Sequence, residues 1–306
     1  MTGILNKTGI ATRKVARALC GVTVGERIPT IDDLVDQCGV VRRNVQKALS
    51  YLKQTGAVKL EAHGQNGTVL LDIKYPALAD ACGVDHLVGV MPLPYTGRYE
   101  GLATGLFTLM GETQVRSYIS FMRGSEARVQ SLLDEFADYC TMSRLAYLDC
   151  MNRGLPLAIA LECKPHSYVG RHVLLLRDDG PDVSAVHRVG IDASSADQRL
   201  LTKRFFAGRD VEYVPVQYTQ IVSMIKTGQI DAGIWNEDDL HLNEEGLQAK
   251  SLESLGFHMT SDDTQAVVAV RKEDALTKNL IQEFIDIDRL AFIQEQVMQG
   301  AIPARY

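Results

Sequence analysis

The stretch from Arg27 to Leu71 constrains this chain most, because it sets two closely spaced amphipathic helices ahead of two short β-like runs. Pro29-Thr30 opens the first helix. Thr30 is a capping residue and Asp33 follows three places on, as in a capping box. Ile31, Leu34, Val35 and Cys38 fall at i, i+3, i+4 and i+7 and give one apolar face. Gly39 supplies the left-handed turn that ends the helix. Val45, Ala48, Leu49 and Leu52 repeat the spacing in a second helix, which Gly56 closes. That seam leaves Arg42, Arg43, Asn44, Gln46 and Lys47 outward or around the helix start. These side-chain types grip phosphates and read base edges in a major groove. Val58-Lys59-Leu60 and Thr68 to Leu71 then form two β-like runs joined by His63-Gly64-Gln65-Asn66-Gly67, where Asn-Gly signals a hairpin. A basic helix face is in most proteins merely solvated. Here the tight turn, the basic second helix and the wing occur in order, which favours a winged helix-turn-helix on double-stranded operator DNA. The expected DNA contacts are Thr30, Arg42, Arg43, Asn44, Gln46 and Lys47, with His63, Gln65 and Asn66 from the wing.

This block resembles the winged helix of GntR-type bacterial repressors. The resemblance rests on Gly39-Val40, Arg42, Val45, Ala48-Leu49, Gly56 and Gly67-Thr68. Val41 stands where that pattern has Ser, so the usual side-chain cap of the recognition helix is missing. Asn44 stands where Thr is common. Both departures bear on which bases are read rather than on the fold.

With 306 residues the chain has room for two domains, expected at 1–75 and 85–306. Its net charge of -6 looks wrong for a DNA binder until it is divided. Residues 1–75 hold 11 Lys+Arg against 6 Asp+Glu, while residues 76–306 hold 21 against 32. A basic head on an acidic body is expected where the head alone meets phosphate. Cys20, Cys38, Cys82, Cys140, Cys150 and Cys163 form no CxxC pair and read as buried free thiols of a reducing compartment. The first 20 residues lack the sustained apolar core of a signal peptide, and no run approaches the roughly 18 apolar residues of a membrane span. The expected location is the cytoplasm.

Residues 8–22 read as the first helix of the head, and residues 73–85 as a short, partly ordered join. From His86 the design changes to strand, polar turn, helix, the unit of an α/β sheet. Leu87–Met91 and Val115–Met122 read as strands, followed by helices from about Leu102 to Leu109 and from Glu126 to Tyr139. Residues 143–153 read as a helix, and Leu157–Glu162 and Tyr168–Leu176 as crossing strands. A βαβαβ run follows: strand Arg188–Ile191, helix to about Phe206, strand Val211–Val216, helix Tyr218–Thr227, and strand Ile230–Trp235 as the last of that run. Gln265–Val270 is strongly β, and Leu280–Met298 reads as one long closing helix. The order fits two α/β lobes joined by crossing strands.

This second part resembles effector domains of the type II periplasmic-binding-protein fold, as in LysR-type regulators. The carriers are the strand-turn-helix at Val189–Leu200, the helix ending Lys226-Thr227-Gly228, and Ile230-Asp231-Ala232. The whole chain resembles the YhfZ-like bacterial regulators, with the Met91–Gly101 run as part of that likeness. The fold class expected is α/β, a winged helix-turn-helix plus a bilobal domain. The resemblance implies no particular ligand.

No HExxH, GxSxG, P-loop or GxGxxG occurs, so neither catalytic residues nor a metal or other cofactor is expected. Ser194-Ser195 reads as a helix start, and the Asp238-Asp239 and Asp262-Asp263 pairs as solvated loop carboxylates. In α/β sheets ligands collect beyond the carboxyl ends of the strands. The turns there give Tyr95, Arg98 and Tyr99; Arg123 and Ser125; Ser194, Ser195 and Gln198; and Trp235, Asn236 and Asp238. A guanidinium facing a helix N-terminus suits a carboxylate or phosphate, and Asp238 suits an amine. The alternative is that the tyrosines and Trp235 are core and Arg98 is in an ion pair. The chain therefore reads as a homodimeric transcription regulator that binds a small acidic metabolite, an amino acid or a phosphorylated compound. The rival reading is a metabolite-processing enzyme or carrier with an appended winged module.

Overall fold

The computed structural model describes residues 7–113, 115–239, 246–258 and 260–306. Residues 1–6, the start of the stretch judged above not to be a signal peptide, lie outside the described residues. The chain divides into two compact units. The first holds the N-terminal residues through Leu87 together with Leu109–Tyr118 and Lys272–Asp286; the second holds Val88–Thr108, Ile119–Arg271 and Ile287–Tyr306.

In the first unit, helices α1 (Lys7–Cys20), α2 (Ile31–Cys38) and α3 (Arg42–Gln54) precede the hairpin β1 (Val58–Ala62) and β2 (Thr68–Ile73). The apolar spacing in the sequence becomes the core: Ala11, Val15, Leu19, Leu34, Val45, Ala48, Leu52 and Leu70 are fully covered. Thr30 caps α2 in a complete capping box with Asp33. Gly39 then turns with φ 61°, which lets α3 start three residues later. Ala62 pairs with Thr68 across the wing. The tip is a five-residue loop in which His63 N–H donates to Gly67 O at 2.8 Å. It is not a two-residue Asn-Gly turn. Gly67 is needed for φ 84°, ψ −160°, a region open essentially to glycine.

The expected join holds a helix, α4 (Tyr75–Cys82), started by Pro76 and ended by Gly83 at φ 74°. Leu78, Ala79 and Cys82 are buried, and α4 lies against α1, so this segment is part of the packed head-side unit.

The second unit holds two lobes. Strands β3 (His86–Met91), β4 (Arg116–Phe121), β5 (Tyr139–Ser143), β6 (Leu157–Glu162) and β12 (Ala266–Arg271) form one sheet in the order β4-β3-β5-β12-β6. Strands β7 (His172–Arg177), β8 (Arg188–Ile191), β9 (Glu212–Pro215), β10 (Ala232–Asn236) and β11 (Leu247–Ser251) form the other, in the order β11-β7-β10-β8-β9. The two orders are the same when read from the edge: three strands in the order 2-1-3, a fourth antiparallel to the third, then an outer strand. In the first sheet that antiparallel strand comes from far along the chain, beyond the second lobe, whereas in the second it directly precedes the other four strands. β12 returns to the first lobe, and β7 precedes the second. Each lobe has its own core, with Val129, Leu132, Met142 and Val267 in the first and Leu174, Val189, Leu201 and Ile234 in the second.

Helices α5 (Gly97–Gly111), α6 (Ser125–Leu133), α7 (Arg144–Asn152), α8 (Ala196–Phe205) and α9 (Ile221–Lys226) link the strands. Four sequence readings need correction. The helix after β3 begins at Gly97, so Arg98 and Tyr99 lie in its first turn rather than in a loop. The helix after β4 stops at Leu133, and Tyr139 opens a strand that is buried throughout. The strand β11 follows β10 where no strand was read. The single closing helix is two, α10 (Ala275–Phe284) and α11 (Ile287–Met298), because Ile285 is extended at φ −100°, ψ 98°.

Two close approaches position the site. Gly101 of α5 lies against α11 so tightly that an added Cβ would meet Gln294 O at 2.6 Å. The Gln294 amide donates to Arg98 O at 2.9 Å and Ser167 O at 2.7 Å, which fixes the start of α5.

Candidate functional site

The recognition helix α3 starts without a side-chain cap, because Val41 offers no acceptor. Asn44 N–H donates to Val41 O at 2.8 Å, and no side chain covers the N–H groups at the very start of the helix, where an anion is favoured. Arg42, Arg43, Gln46 and Lys47 are exposed and Asn44 is half-buried. Arg42 is ion-paired with Asp32 of α2, so part of its charge is already answered. The Thr30 hydroxyl is engaged within the cap: it donates to Asp33 Oδ2 at 2.7 Å and accepts from Asp33 N–H at 3.2 Å. The wing-tip residues His63, Gln65 and Asn66 are all exposed. His63 Nε2 lies 3.4 Å from Glu61 Oε1.

The second unit holds a cleft of about 70 Å³ between its lobes. By the same measure one water needs roughly 10–15 Å³, so the cleft takes roughly five water-sized groups. One edge is sealed by direct contact between lobes. Arg123 Nη1 donates to Thr219 Oγ1 at 2.9 Å, and Ala196 N–H donates to Ser125 Oγ at 3.2 Å. Gly124, at φ 79°, lets the backbones meet, since a Cβ there would lie 3.0 Å from Ser194 O.

On the first lobe, Arg128 points into this cleft from α6 and is only 3 % exposed. It donates from Nε to Thr141 O, from Nη1 to Met122 O and from Nη2 to Tyr168 OH, at 2.9–3.1 Å. All three acceptors are neutral, and among the described residues no carboxylate pairs with it. Tyr95, Tyr99 and Tyr168 form an edge-to-face ladder beside it, with ring centroids 5.5 Å and 5.1 Å apart. Burial raises the Tyr99 and Tyr168 phenols above their usual range, so both stay neutral.

On the second lobe, Asp192 holds the local backbone. It accepts from Ser194 N–H and Oγ–H and from Tyr218 N–H. Ser195 caps α8, and Gln198 bridges Asp192 N–H and Gly190 O. Asp197, in the first turn of α8, is buried at the cleft, and burial pushes its carboxyl up to about 6. Its Oδ1 accepts from Ser143 Oγ. His172 faces it and is held through Nδ1 by Asp263 at 2.7 Å. Asn236 is 3 % exposed. Its Oδ1 accepts from Asp238 N–H at 2.9 Å, and its buried Nδ2 has no partner among the described residues.

Residues 74–306 match the family description for the YhfZ C-terminal domain, and residues 23–70 match a helix-turn-helix domain. The chain belongs to the YhfZ family. It is 36% identical over 299 residues to the YhfZ protein of Escherichia coli K12, covering 97% of this chain and 96% of that one. The crystal structure of YhfZ from Shigella flexneri is also 36% identical and superposes with a TM-score of 0.66, over 76% of this chain and 98% of that one. The periplasmic aliphatic sulphonate binding protein SsuA of Escherichia coli superposes at 0.52 over 71% of this chain and 75% of that one, with 12% identity. That likeness establishes the bilobal fold alone. The helix-turn-helix match points to DNA binding, and the fold points to binding of a small molecule.

Within this chain the cleft gathers Tyr95, Tyr99, Arg123, Ser125, Ser194, Ser195, Gln198 and Asn236. Three expected ligand residues lie outside its lining. Arg98 and Asp238 are engaged with each other, Nε to Oδ2 at 2.9 Å, and Asp238 also accepts from Gly170 N–H. Trp235 stacks on Tyr218 with centroids 4.1 Å apart and belongs to the second lobe's core. Arg128, His172 and Asp197 were missed. Arg128 and His172 stand outside the strand-end turns, in a helix and at a strand's start, where sequence alone reads them as ordinary positions; Asp197 lay within the polar turn after β8, between Ser195 and Gln198, and was passed over for its neighbours.

Proposed function

We propose that this protein is a cytoplasmic, homodimeric transcription regulator whose winged head binds operator DNA and whose cleft senses a small anionic metabolite. The observation that carries the anion is Arg128: a buried guanidinium in a cleft whose hydrogen bonds, among the described residues, go to neutral acceptors and which is ion-paired with no carboxylate. A buried cation without a counter-charge is costly, and an incoming carboxylate or phosphate offsets that cost. Arg123 and the open start of α6 add to the same field.

A thermal-shift screen of small carboxylates, phosphates and amino acids tests this reading, because a binder stabilises the fold by mass action. At least one acidic compound is expected to raise the melting temperature of the natural chain and change its affinity for operator DNA. Arg128→Ala is expected to lose that shift, while Arg98→Ala keeps it. An undiminished response in Arg128→Ala moves the site elsewhere. Turnover of the compound favours an enzyme instead.

The dimer places two recognition helices on half-sites about one DNA turn apart, or a multiple of it, as single heads make too few contacts for strong specificity. Sedimentation of the free protein and of its operator complex is expected to show two copies in each. One copy on DNA contradicts the dimer.

A further inference from the structure

We infer that the ligand is a small zwitterion, with its anionic group at Arg128 on the first lobe and a protonated amine at Asp197 on the second. The inference rests on the anion reading above and extends it to the other end of the molecule.

Among the described residues the cleft holds a guanidinium and a carboxylate that are not ion-paired with each other. Arg128 makes hydrogen bonds to neutral oxygens, and Asp197 accepts from the Ser143 hydroxyl through one oxygen while its other carboxylate oxygen has no hydrogen-bond partner among the described residues. The two line the same cavity, and each feels the other's field. Among the described residues neither a hydrogen bond nor an ion pair joins them; the hydrogen bonds of each go to other groups. A gap between opposite buried charges is what a molecule with two charged ends fills. A plain anion would answer Arg128 and leave Asp197 facing added negative charge. A plain cation would do the converse.

The other groups around Asp197 do not replace such an amine. His172 opposes the Asp197 charge but is already held through Nδ1 by Asp263, which adds negative charge, and Ser143 is neutral. Asn236 Nδ2 adds one neutral donor, oriented by the bond from Asp238 N–H to its Oδ1 and free to meet an acceptor on the ligand. A volume of about 70 Å³ suits a ligand on the scale of a short-chain amino acid or aminoalkyl phosphonate or sulphonate. All three heads share the anion chemistry that a guanidinium recognises.

The test uses matched pairs on the full chain by titration calorimetry: alanine against propionate, 2-aminoethylphosphonate against ethylphosphonate, and taurine against ethanesulphonate. The amine-bearing member of at least one pair is expected to bind tenfold or more tighter than its twin. In Asp197→Asn that preference is expected to shrink to less than about threefold. Twins without the amine that bind equally well or better overturn the amine site and leave the anion site standing. Binding by none of the six overturns the zwitterion, and the Arg128→Ala screen then decides the anion reading separately. The comparison on the natural chain stands whether or not Asp197→Asn folds.

Discussion

A chain carrying Arg42→Ala, Arg43→Ala and Lys47→Ala together is expected to bind its operator about a hundredfold to a thousandfold more weakly at fixed salt. Each cation that reaches a base or phosphate contributes about 1–3 kcal/mol. Arg42 contributes least, because Asp32 already shares its charge. The slope of log affinity against log salt should also flatten by roughly two, at ~0.9 for each phosphate no longer neutralised. All three side chains are exposed, so the melting temperature should not move. Operator binding and salt slope both equal to those of the natural chain would remove α3 from the interface.

Asp197→Asn is expected to stabilise the fold by about 3 kcal/mol at pH 7, taking 1.36 kcal/mol per unit between an ordinary carboxyl at 3.8 and one at about 6. Burial is the largest cause; Asp263 adds to it, while His172, the Ser143 hydroxyl and Arg128 oppose it. The folded value is raised, so the carboxyl favours the folded state most below pH 3.8 and loses that contribution as pH rises through about 6. The advantage of Asn should therefore be largest at neutral pH and fade toward pH 4. Denaturant titrations at pH 7 and pH 4.5 decide it: a variant less stable at pH 7, or a gap that does not change with pH, contradicts this account. The gain would come at the cost of ligand discrimination.

The head was legible because its signals are local. Thr30 and Asp33 lie within one turn of each other, Gly39 marks the bend, and one apolar face repeats through Leu52. The α/β body was legible in its polar turns and less so in its strands. Tyr139–Ser143 is covered on both faces yet contains Thr and Ser, so it shows neither alternation nor an apolar run. The break between α10 and α11 is invisible because apolar residues continue through Ile285. In the cleft, strand-end turns located one rim. Arg128 has the spacing of any helix-surface cation, and its burial depends on Thr141, Met122 and Tyr168, which arrive from three other segments. Arg98 looked like the stronger anion ligand until Asp238, 140 residues away, was brought beside it.

The borrowed strand β12 sets an order of events during synthesis. β12 sits between β5 and β6, yet it lies beyond the entire second lobe in the sequence. The ribosome must therefore finish β7 through β11 before the first lobe can close its sheet. Until residue 271 emerges, β5 and β6 lack the partner that joins them. Nascent chains arrested before that point carry open strand edges, which makes them the natural prey of chaperones and proteases.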